Sequence, residues 1–439
     1  ITNNTLSPAK IVLVGRSSFK TTYSLTYSIL EEIMESRFAN VESAPPVEIF
    51  ALNRAYKEDT NPNKVDLGIG AYRTNEGKPW VLPVVRKVEK DMAADENLNH
   101  EYLSQLGMEE FSKLATKMLL GEDSIALKEN RAFGVQTLSG TGALRLGADT
   151  LAKHAKYTTF YMSAPTWPNH RLVFMNAGFK ECRTYRYWDA KTRSLDFDGM
   201  IEDMKNAPAD SVFILHACAH NPTGVDPTEK QWEEIAKVMK EKKLFPFFDC
   251  AYQGFATGDL ERDRKAVQYF VAEGFELFAA QSFAKNFGLY NERAGNLTIV
   301  LNNSSAITNL KAQITLLVRG NYSNPPAHGV RIVARVLGNP ELFNEWTGHI
   351  KTMSGRIMEM RKALFDKLKE LNTPGTWDHI INQIGMFSYT GLTQPQVQHL
   401  VQEYHIYLPK DGRISICGLN TSNVEYVAKA INDAVTKIK

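Results

Sequence analysis

The chain has 439 residues, 43% of them hydrophobic and 23% charged, which is typical of a globular protein with enough sequence for two or three domains. Its 51 basic and 49 acidic side chains leave a formal charge of +2, an excess too small to favour a nucleic acid or an acidic membrane surface as partner. No apolar run approaches the ~18 residues of a membrane-spanning helix. Four scattered cysteines without a CxxC pair indicate free thiols in a reducing compartment.

The first 36 residues have a composition of their own. They contain Lys10, Arg16 and Lys20 but no acid before Glu31, and they are rich in serine and threonine. A mitochondrial transit peptide has this composition, and so has a disordered or non-native extension, which is the interpretation we favour. We therefore expect residues 1–36 to be an extension that the folded domains do not need.

After residue 36, short apolar runs alternate with amphipathic stretches. Four of the runs predict buried strands, at residues 212–215, 244–248, 277–280 and 297–300. Between the first two, apolar side chains at helical spacing predict a helix over 228–243. Strand, helix and strand in this order predict an α/β architecture with a largely parallel sheet. A long helix over 344–370 and short strands at 386–389 and 414–416 predict a smaller C-terminal unit.

The segment from Gln281 to Arg293 follows one of these strands and is too polar and glycine-bearing to continue it. In open α/β sheets, ligands bind at the carboxyl ends of strands, so Lys285 is a candidate functional residue. A lysine that loses solvent there has a lowered pKa, and its neutral amine can form a Schiff base with an aldehyde. A single lysine is usually a solvated surface charge, so the neighbouring residues must decide between the two interpretations.

Other segments leave alternatives open. Asp249 ends the 244–248 run and is either a helix cap or a functional carboxylate. Alternation places His216, Cys218 and His220 on one strand face, where they could bind a metal, but the missing fourth ligand disfavours this. Trp167 is either core packing or part of a site.

Small residues at 139–143 follow a strand-like stretch at 133–138 and open a helix whose backbone N–H groups could bind a phosphate. This turn is not a dinucleotide fingerprint, because Arg145 occupies the position of the third glycine. Gly68 and Gly70 do not form this fingerprint either, because Arg73 occupies the position of the third glycine. An ordinary helix-capping turn is the alternative.

The run Ser282-Phe-Ala-Lys-Asn-Phe-Gly-Leu-Tyr-Asn-Glu-Arg293 closely resembles the cofactor-lysine segment of the aspartate aminotransferases, pyridoxal-phosphate-dependent enzymes of fold type I. Within that family the chain is most similar to the cytosolic animal type. The resemblance extends from about Phe38 to the C-terminus, and Ala284 stands where many relatives have serine. It implies that pyridoxal 5'-phosphate is the cofactor, that Lys285 holds it, and that no metal is required.

The resemblance also implies a role for each candidate residue. Asp249 would pair with the pyridine nitrogen of the cofactor and so keep the ring an electron sink. Tyr252 and Asn221 would bond the ring oxygen, and Trp167 would stack on the ring. The residues implied around the cofactor phosphate are Ser139, Gly140, Thr141, Ser282 and Arg293, together with Tyr102 from a partner subunit.

Two arginines are implied to select the substrate. Arg413 resembles the residue that holds the α-carboxylate, and Arg319 resembles the residue that reaches from the partner subunit to the distal carboxylate. A guanidinium fork suits both, since it binds a carboxylate in a planar, bidentate way. Gly70, Trp167 and Asn221 are expected to contact the substrate as well. Ser415 replaces an asparagine that is common in relatives.

The implied fold is the α/β fold of the large PLP-dependent aminotransferases, with a mostly parallel central sheet and a smaller α/β domain. We expect residues 37–80 to form an N-terminal arm and part of the small domain, residues 81–350 the large cofactor-binding domain, and residues 351–439 the rest of the small domain. The implied assembly is a cytoplasmic homodimer with shared active sites.

The implied reaction is the reversible, ping-pong transfer of an amino group between L-aspartate and 2-oxoglutarate, which gives oxaloacetate and L-glutamate. An aromatic or kynurenine aminotransferase shares the cofactor residues, but Arg319 argues against it. A cofactor-fold protein retained for binding alone is a further alternative, against which Lys285, Asp249 and Arg413 argue together.

Overall fold

The structure, a computed structural model, describes residues 36–438. Contacts within the chain place residues 36–47 in one unit and residues 48–438 in another. Residues 36–47 are exposed and contain no regular helix or strand. The expectation for residues 1–36 therefore falls, except at Ser36, outside the described residues.

Residues 48–438 contain strands and helices in alternation over most of their length. The strands are β1 (Val65–Asp66), β2 (Ala132–Leu138), β3 (Thr159–Ala164), β4 (Glu181–Arg186), β5 (Trp188–Asp189), β6 (Ser194–Leu195), β7 (Val212–His216), β8 (Phe245–Cys250), β9 (Leu277–Ser282), β10 (Ala294–Val300), β11 (Phe387–Tyr389), β12 (Ile406–Tyr407) and β13 (Arg413–Ser415). The α-helices are α1 (Glu48–Glu58), α2 (Pro83–Ala93), α3 (Glu109–Leu120), α4 (Ile125–Lys128), α5 (Ser139–Lys153), α6 (Asn169–Ala177), α7 (Phe197–Asn206), α8 (Glu229–Lys242), α9 (Leu260–Ala272), α10 (Ile307–Asn321), α11 (His328–Gly338), α12 (Pro340–Glu370), α13 (His379–Asn382), α14 (Gln394–Tyr404) and α15 (Val424–Lys437). None of these helices combines the length and the apolar character that crossing a bilayer requires.

A seven-stranded sheet with the order β2-β10-β9-β8-β7-β3-β4 forms the centre of the fold. The strands from β9 to β4 run parallel, whereas β10 is antiparallel to both of its neighbours. Every residue of β7, β8, β9 and β10 is buried, because helices pack on both faces of the sheet. The four predicted strands and the largely parallel sheet are therefore confirmed.

The helix predicted over 228–243 is α8, and its first turn shows why it begins there. Thr228 is the N-cap, and its side chain accepts a hydrogen bond from the backbone N–H of Gln231. In return, the Gln231 side chain accepts a hydrogen bond of 2.9 Å from the backbone N–H of Thr228. This reciprocal capping box satisfies two N–H groups that the helix itself leaves free.

The C-terminal part of the chain is organised around α12, whose 31 residues begin four positions before the predicted helix. Asn339 caps it by accepting hydrogen bonds from the N–H groups of Glu341 and Leu342. Beyond this helix, β11 pairs with β13 in antiparallel fashion, and β12 pairs with β1 from the N-terminal side of the chain. This pairing joins the two segments assigned to the small domain, although the boundaries at residues 80 and 350 stay predictions.

Candidate active site

The carboxyl ends of β7, β8 and β9 lie side by side and open into a cavity of about 290 Å³. In this register, His216 of β7 is paired with Asp249 of β8. Twelve of the fourteen residues predicted from the sequence line the cavity: Gly70, Ser139, Gly140, Thr141, Trp167, Asn221, Asp249, Tyr252, Ser282, Lys285, Arg293 and Arg413. Three larger cavities, of about 520, 1040 and 1330 Å³, lie elsewhere in the described residues, but none of them contains a buried carboxylate beside a lysine.

Lys285 lies in the loop that joins β9 to β10, and its ammonium group is 5.4 Å from the centre of the Tyr252 ring. Burial lowers the pKa of Lys285, an effect that the carboxylate of Asp249 opposes and the cation of Arg293 reinforces. The amine is therefore more readily neutral than that of a surface lysine. A neutral amine is what nucleophilic attack on an aldehyde needs.

Asp249 accepts a hydrogen bond of 2.8 Å from Nε2 of His170, whose Nδ1 lies 2.9 Å from Oγ1 of Thr166. Burial acts to raise the pKa of Asp249, but the hydrogen bond from His170 and the nearby positive charges hold it below its usual value. The carboxylate is therefore an oriented anion at the end of the cavity. It is not a helix cap, since the next long helix, α9, is capped by Asp259.

His170 is a site residue that the sequence reasoning missed. It is fully buried and stands three positions after Trp167, whose ring it meets edge-on at 5.4 Å. The only local signal for it was this spacing, which brings the two side chains close together at the start of α6. The bond to Asp249 joins residues 79 positions apart and has no signature in either segment.

The N-terminal end of helix α5, whose residues Ser139, Gly140 and Thr141 line the cavity, is suited to receive an anion. Helix α5 begins at Ser139, and its first turn contains no acid. The Ser139 hydroxyl lies 3.1 Å from the Ser282 hydroxyl. The backbone N–H of Ser139 donates a hydrogen bond of 2.9 Å to the carbonyl of Arg293. Free N–H groups at a helix N-terminus next to an arginine bind phosphate well. Together with the Lys285 amine and the Asp249 carboxylate, this end gives the cavity a chemistry that fits pyridoxal 5'-phosphate.

Gly295 in β10 keeps this anion site open, because a Cβ there would lie 2.3 Å from the carbonyl carbon of Ser139. We expect Gly295→Ala to displace Ser139 and to weaken cofactor binding about tenfold, the effect of a ~1.4 kcal/mol overpacking penalty. Titration of the cofactor-free protein with pyridoxal 5'-phosphate measures this. The control is Gly348→Ala on α12, where a Cβ meets nothing within 4 Å. Equal affinities in both variants would contradict the assigned role of the turn at Ser139.

Arg413 occupies the wall of the cavity nearest to β11. Its guanidinium lies 4.2 Å from the centre of the Phe387 ring, 3.4 Å from Oδ1 of Asn221 and 3.3 Å from the carbonyl of Gly68. Its buried Nε atom has no hydrogen-bond partner among the described residues. The donors of this guanidinium are thus only partly used, as expected of a group that receives a carboxylate.

Ser415, which replaces the asparagine common in relatives, makes no side-chain hydrogen bond to Arg413. Its hydroxyl is buried and has no hydrogen-bond partner within residues 36–438. Its backbone N–H instead donates to the carbonyl of Leu67 at 2.6 Å. The substitution therefore leaves the described contacts of Arg413 to Asn221 and Gly68 in place.

Trp167 and Tyr252 contribute aromatic surface to the cavity. Trp167 is only partly buried and lines the cavity, which favours a role in the site over simple core packing. Tyr252 is buried, and desolvation raises its pKa, so the phenol stays protonated at neutral pH and can donate a hydrogen bond.

The alternation proposed for His216, Cys218 and His220 is wrong, because β7 ends at His216. Both ring nitrogens of His220 are already bonded, to Oγ of Ser163 and to Oγ1 of Thr223, each at 2.8 Å. A different group has metal-ligand spacing, with the ligand atoms of His170, His216 and Asp249 all within 4.8 Å of one another. In that group, however, His170 uses its Nε2 to bond Asp249.

Tyr102 and Arg319 do not line the cavity that contains Lys285. They line the cavity of about 1330 Å³, Tyr102 is 82% exposed, and Arg319 is exposed and donates a hydrogen bond to Ser323. Within one chain, the residue implied to hold the distal carboxylate is therefore separate from the residue implied to hold the cofactor.

Comparison with known proteins identifies the family of the chain. The family model "Aminotransferase class I and II" matches residues 62–431. The chain is 56% identical over 409 residues to the cytoplasmic aspartate aminotransferase of Gallus gallus, covering 92% of this chain and 99% of that protein. The cytoplasmic aspartate aminotransferase structure from Saccharomyces cerevisiae matches with a TM-score of 0.89 at 46% identity, covering 92% of this chain and 99% of that one. An aromatic-amino-acid aminotransferase from Burkholderia pseudomallei, covalently bound to pyridoxal phosphate, matches with a TM-score of 0.89 at 41% identity, covering 91% and 100%. The family model covers most of the chain and relatives match it along nearly its whole length, so the chain belongs to the class I and II aminotransferases.

Proposed function

We propose that the chain catalyses the reversible transfer of an amino group between L-aspartate and 2-oxoglutarate, giving oxaloacetate and L-glutamate. The observation that carries this proposal is the single cavity that combines Lys285, Asp249 and Arg413 with an anion-binding helix N-terminus. Relatives that are 56% identical and are named aspartate aminotransferases support the substrate pair.

Pyridoxal 5'-phosphate, when bound, supplies an aldehyde that takes up the amino group and a ring that accepts the electron pair of the substrate Cα. Asp249, oriented by its hydrogen bond from His170, would keep a proton on the ring nitrogen. Tyr252 and Asn221 would bond the ring oxygen, and Trp167 would supply aromatic surface to the ring. The residues that would hold the phosphate are Ser139, Gly140, Thr141, Ser282 and Arg293.

Lys285 has two tasks in this proposal. Its amine would hold the cofactor, and its Nζ would carry a proton to and from the substrate Cα. The lowered pKa that burial gives this amine suits both tasks, because a fully protonated ammonium group can neither attack an aldehyde nor remove a proton.

The two ends of the substrate are held by different subunits. Arg413 binds the α-carboxylate, with Gly70 and Asn221 beside it, and Arg319 of a second copy binds the distal carboxylate. The separation of Arg319 and Tyr102 from the Lys285 cavity supports a homodimer in which each copy completes the site of the other. The relatives named cytoplasmic support a cytoplasmic location.

The aromatic aminotransferases remain the rival enzymes, since the fold and the cofactor residues do not separate the two activities. The visible spectrum of the cofactor-loaded protein, recorded before and after adding substrate, distinguishes the two activities. We expect the visible band to bleach with aspartate at concentrations at which phenylalanine has little effect. A band that bleaches with phenylalanine alone would favour the aromatic enzymes, and a band that responds to no amino acid would favour a binding protein.

The substitution Arg319→Asp tests the choice of dicarboxylates. Loss of a buried charge pair costs roughly 2–5 kcal/mol, so kcat/KM for aspartate should fall by tens- to thousands-fold, while basic amino acids should become better substrates. Gln313→Asp places the same carboxylate at an exposed position of the same helix and is the control. Unchanged aspartate efficiency in Arg319→Asp would mean that another residue holds the distal carboxylate.

A further inference from the structure

Arg361 is a buried cation for which the proposed reaction has no direct use. It lies in the middle of α12 and is 3% exposed. The described side chains offer it no carboxylate partner, and burial lowers its pKa to about 9, so it is still charged at neutral pH. A buried charge without a counter-ion is costly unless its hydrogen bonds are placed well, which makes the partners of Arg361 informative.

Those partners are three backbone carbonyls of one short segment. Nη1 donates to Ile380 and Nη2 to Gly385, both at 2.9 Å, and Nη2 also donates to Phe387. A planar guanidinium with donors in fixed directions sets the relative positions of the groups that it binds. The planar guanidinium fork of Arg361 therefore sets the position of the backbone at the start of β11, including the backbone of Phe387.

Phe387 is the link between this fork and the substrate cavity. Its ring lies 4.2 Å from the Arg413 guanidinium, and a Cβ at Gly70 would be 3.9 Å from its Cζ. In the sheet, Phe387 is paired with Ser415 and Tyr389 with Arg413 itself. A shift at the start of β11 therefore moves both the surface beneath the Arg413 guanidinium and the strand partner of Arg413.

The same segment also supports Asn221 from the other side. The backbone N–H of Ile384 donates to the carbonyl of Gly224 at 2.8 Å. A Cβ at Gly224 would lie 3.0 Å from the carbonyl oxygens of Ile384 and Phe387. Arg361 thus fixes a segment against which both the turn after Asn221 and the Arg413 strand are packed.

We propose that Arg361 is a positioning residue for the α-carboxylate subsite, which acts through Phe387 and sets the affinity for every α-amino acid or α-keto acid substrate. This inference rests on the proposed function and adds a determinant of binding that is independent of the substrate side chain. It predicts a binding defect that does not depend on whether a distal carboxylate is present.

The test uses Arg361→Lys, which keeps the charge but loses the planar fork. We expect the Kd of 2-oxoglutarate for the cofactor-loaded protein, measured by calorimetry in the absence of any amino acid, to rise about tenfold. The KM values of aspartate and phenylalanine should rise by a similar factor, with kcat within about threefold of wild type. Leu368→Ala, a fully buried change on the same helix, should lower the Tm and leave Kd and KM unchanged.

Two results would overturn the proposal: an unchanged Kd in folded Arg361→Lys, or a KM increase confined to aspartate. If Arg361→Lys is insoluble, Phe387→Leu tests the same route with the fork intact, and an unchanged Kd there is equally decisive against it. Failure of the proposed function is distinguishable, because it appears as a wild-type protein that binds 2-oxoglutarate but does not react with aspartate.

Discussion

Replacing Lys285 with alanine is expected to lower kcat by at least about 10⁴-fold, because it removes both the amine that holds the cofactor and the group that moves the proton at Cα. The effect should not be rescued by a neighbour. Among the residues that line the cavity, the other cations are Arg293 and Arg413, and a guanidinium is not deprotonated at neutral pH.

The measurement is turnover with aspartate, together with borohydride reduction of the cofactor-loaded wild type followed by peptide mapping. Label should appear on the peptide that contains Lys285. The matched control is Lys369→Ala, since Lys369 also lies about 5 Å from an aromatic ring, at 5.1 Å from Phe365, but is exposed. We expect this variant to keep full activity. Label on any other lysine would refute the assignment of Lys285.

The position of the site was predictable from hydrophobic patterning. The runs that became β7, β8 and β9 are apolar throughout, and such runs indicate strands buried on both faces of a sheet. Because β8 and β9 are parallel neighbours, Asp249 and the segment after Ser282 must lie at the same edge of the sheet, where the carboxyl ends of both strands meet. The identity of the chemistry was not predictable in this way, since a lysine after a strand is more often solvated, and it required the whole run around Lys285.

The features that the sequence did not reveal are those that depend on distant partners or on strand direction. The direction of β10 is not encoded in its apolar run, because antiparallel and parallel neighbours bury the same side chains. His170 and Arg361 act through bonds to residues 79 and 19 to 26 positions away. Their own segments carry no pattern that would distinguish them from ordinary core and helix residues.

The alternating pattern also gave a wrong prediction at the end of β7, because the strand ends earlier than the pattern suggests. The pattern at His216, Cys218 and His220 requires extended backbone to continue, but Ala219 has a φ of +50° and the chain turns. Asp226 stabilises that turn by accepting hydrogen bonds from the N–H groups of Ala219 and His220, at 2.6 and 2.9 Å. A carboxylate several residues downstream thus decides a conformation that periodicity alone assigns wrongly.

Mixing two inactive variants is expected to restore activity if each active site is shared between two subunits. In a hybrid of a Lys285→Ala chain and an Arg319→Ala chain, one site collects both lesions and the other collects none. Random pairing of equal amounts makes half of the dimers hybrid, and half of their sites are intact, so activity should reach about a quarter of wild type. The basis is that Arg319 lines a different cavity from Lys285 within one chain.

The control for this experiment pairs two lesions that lie in the same cavity of one chain. A hybrid of Lys285→Ala and Asp249→Ala places one lesion in each site, because both side chains line the same cavity. That mixture should therefore stay as inactive as its parents. The measurement is aspartate turnover after co-refolding, with hybrid dimers verified by a mass or affinity tag. Verified hybrids of Lys285→Ala and Arg319→Ala that are no more active than the better parent would show that Arg319 acts within its own chain, since only residues acting in trans can leave one site free of both lesions.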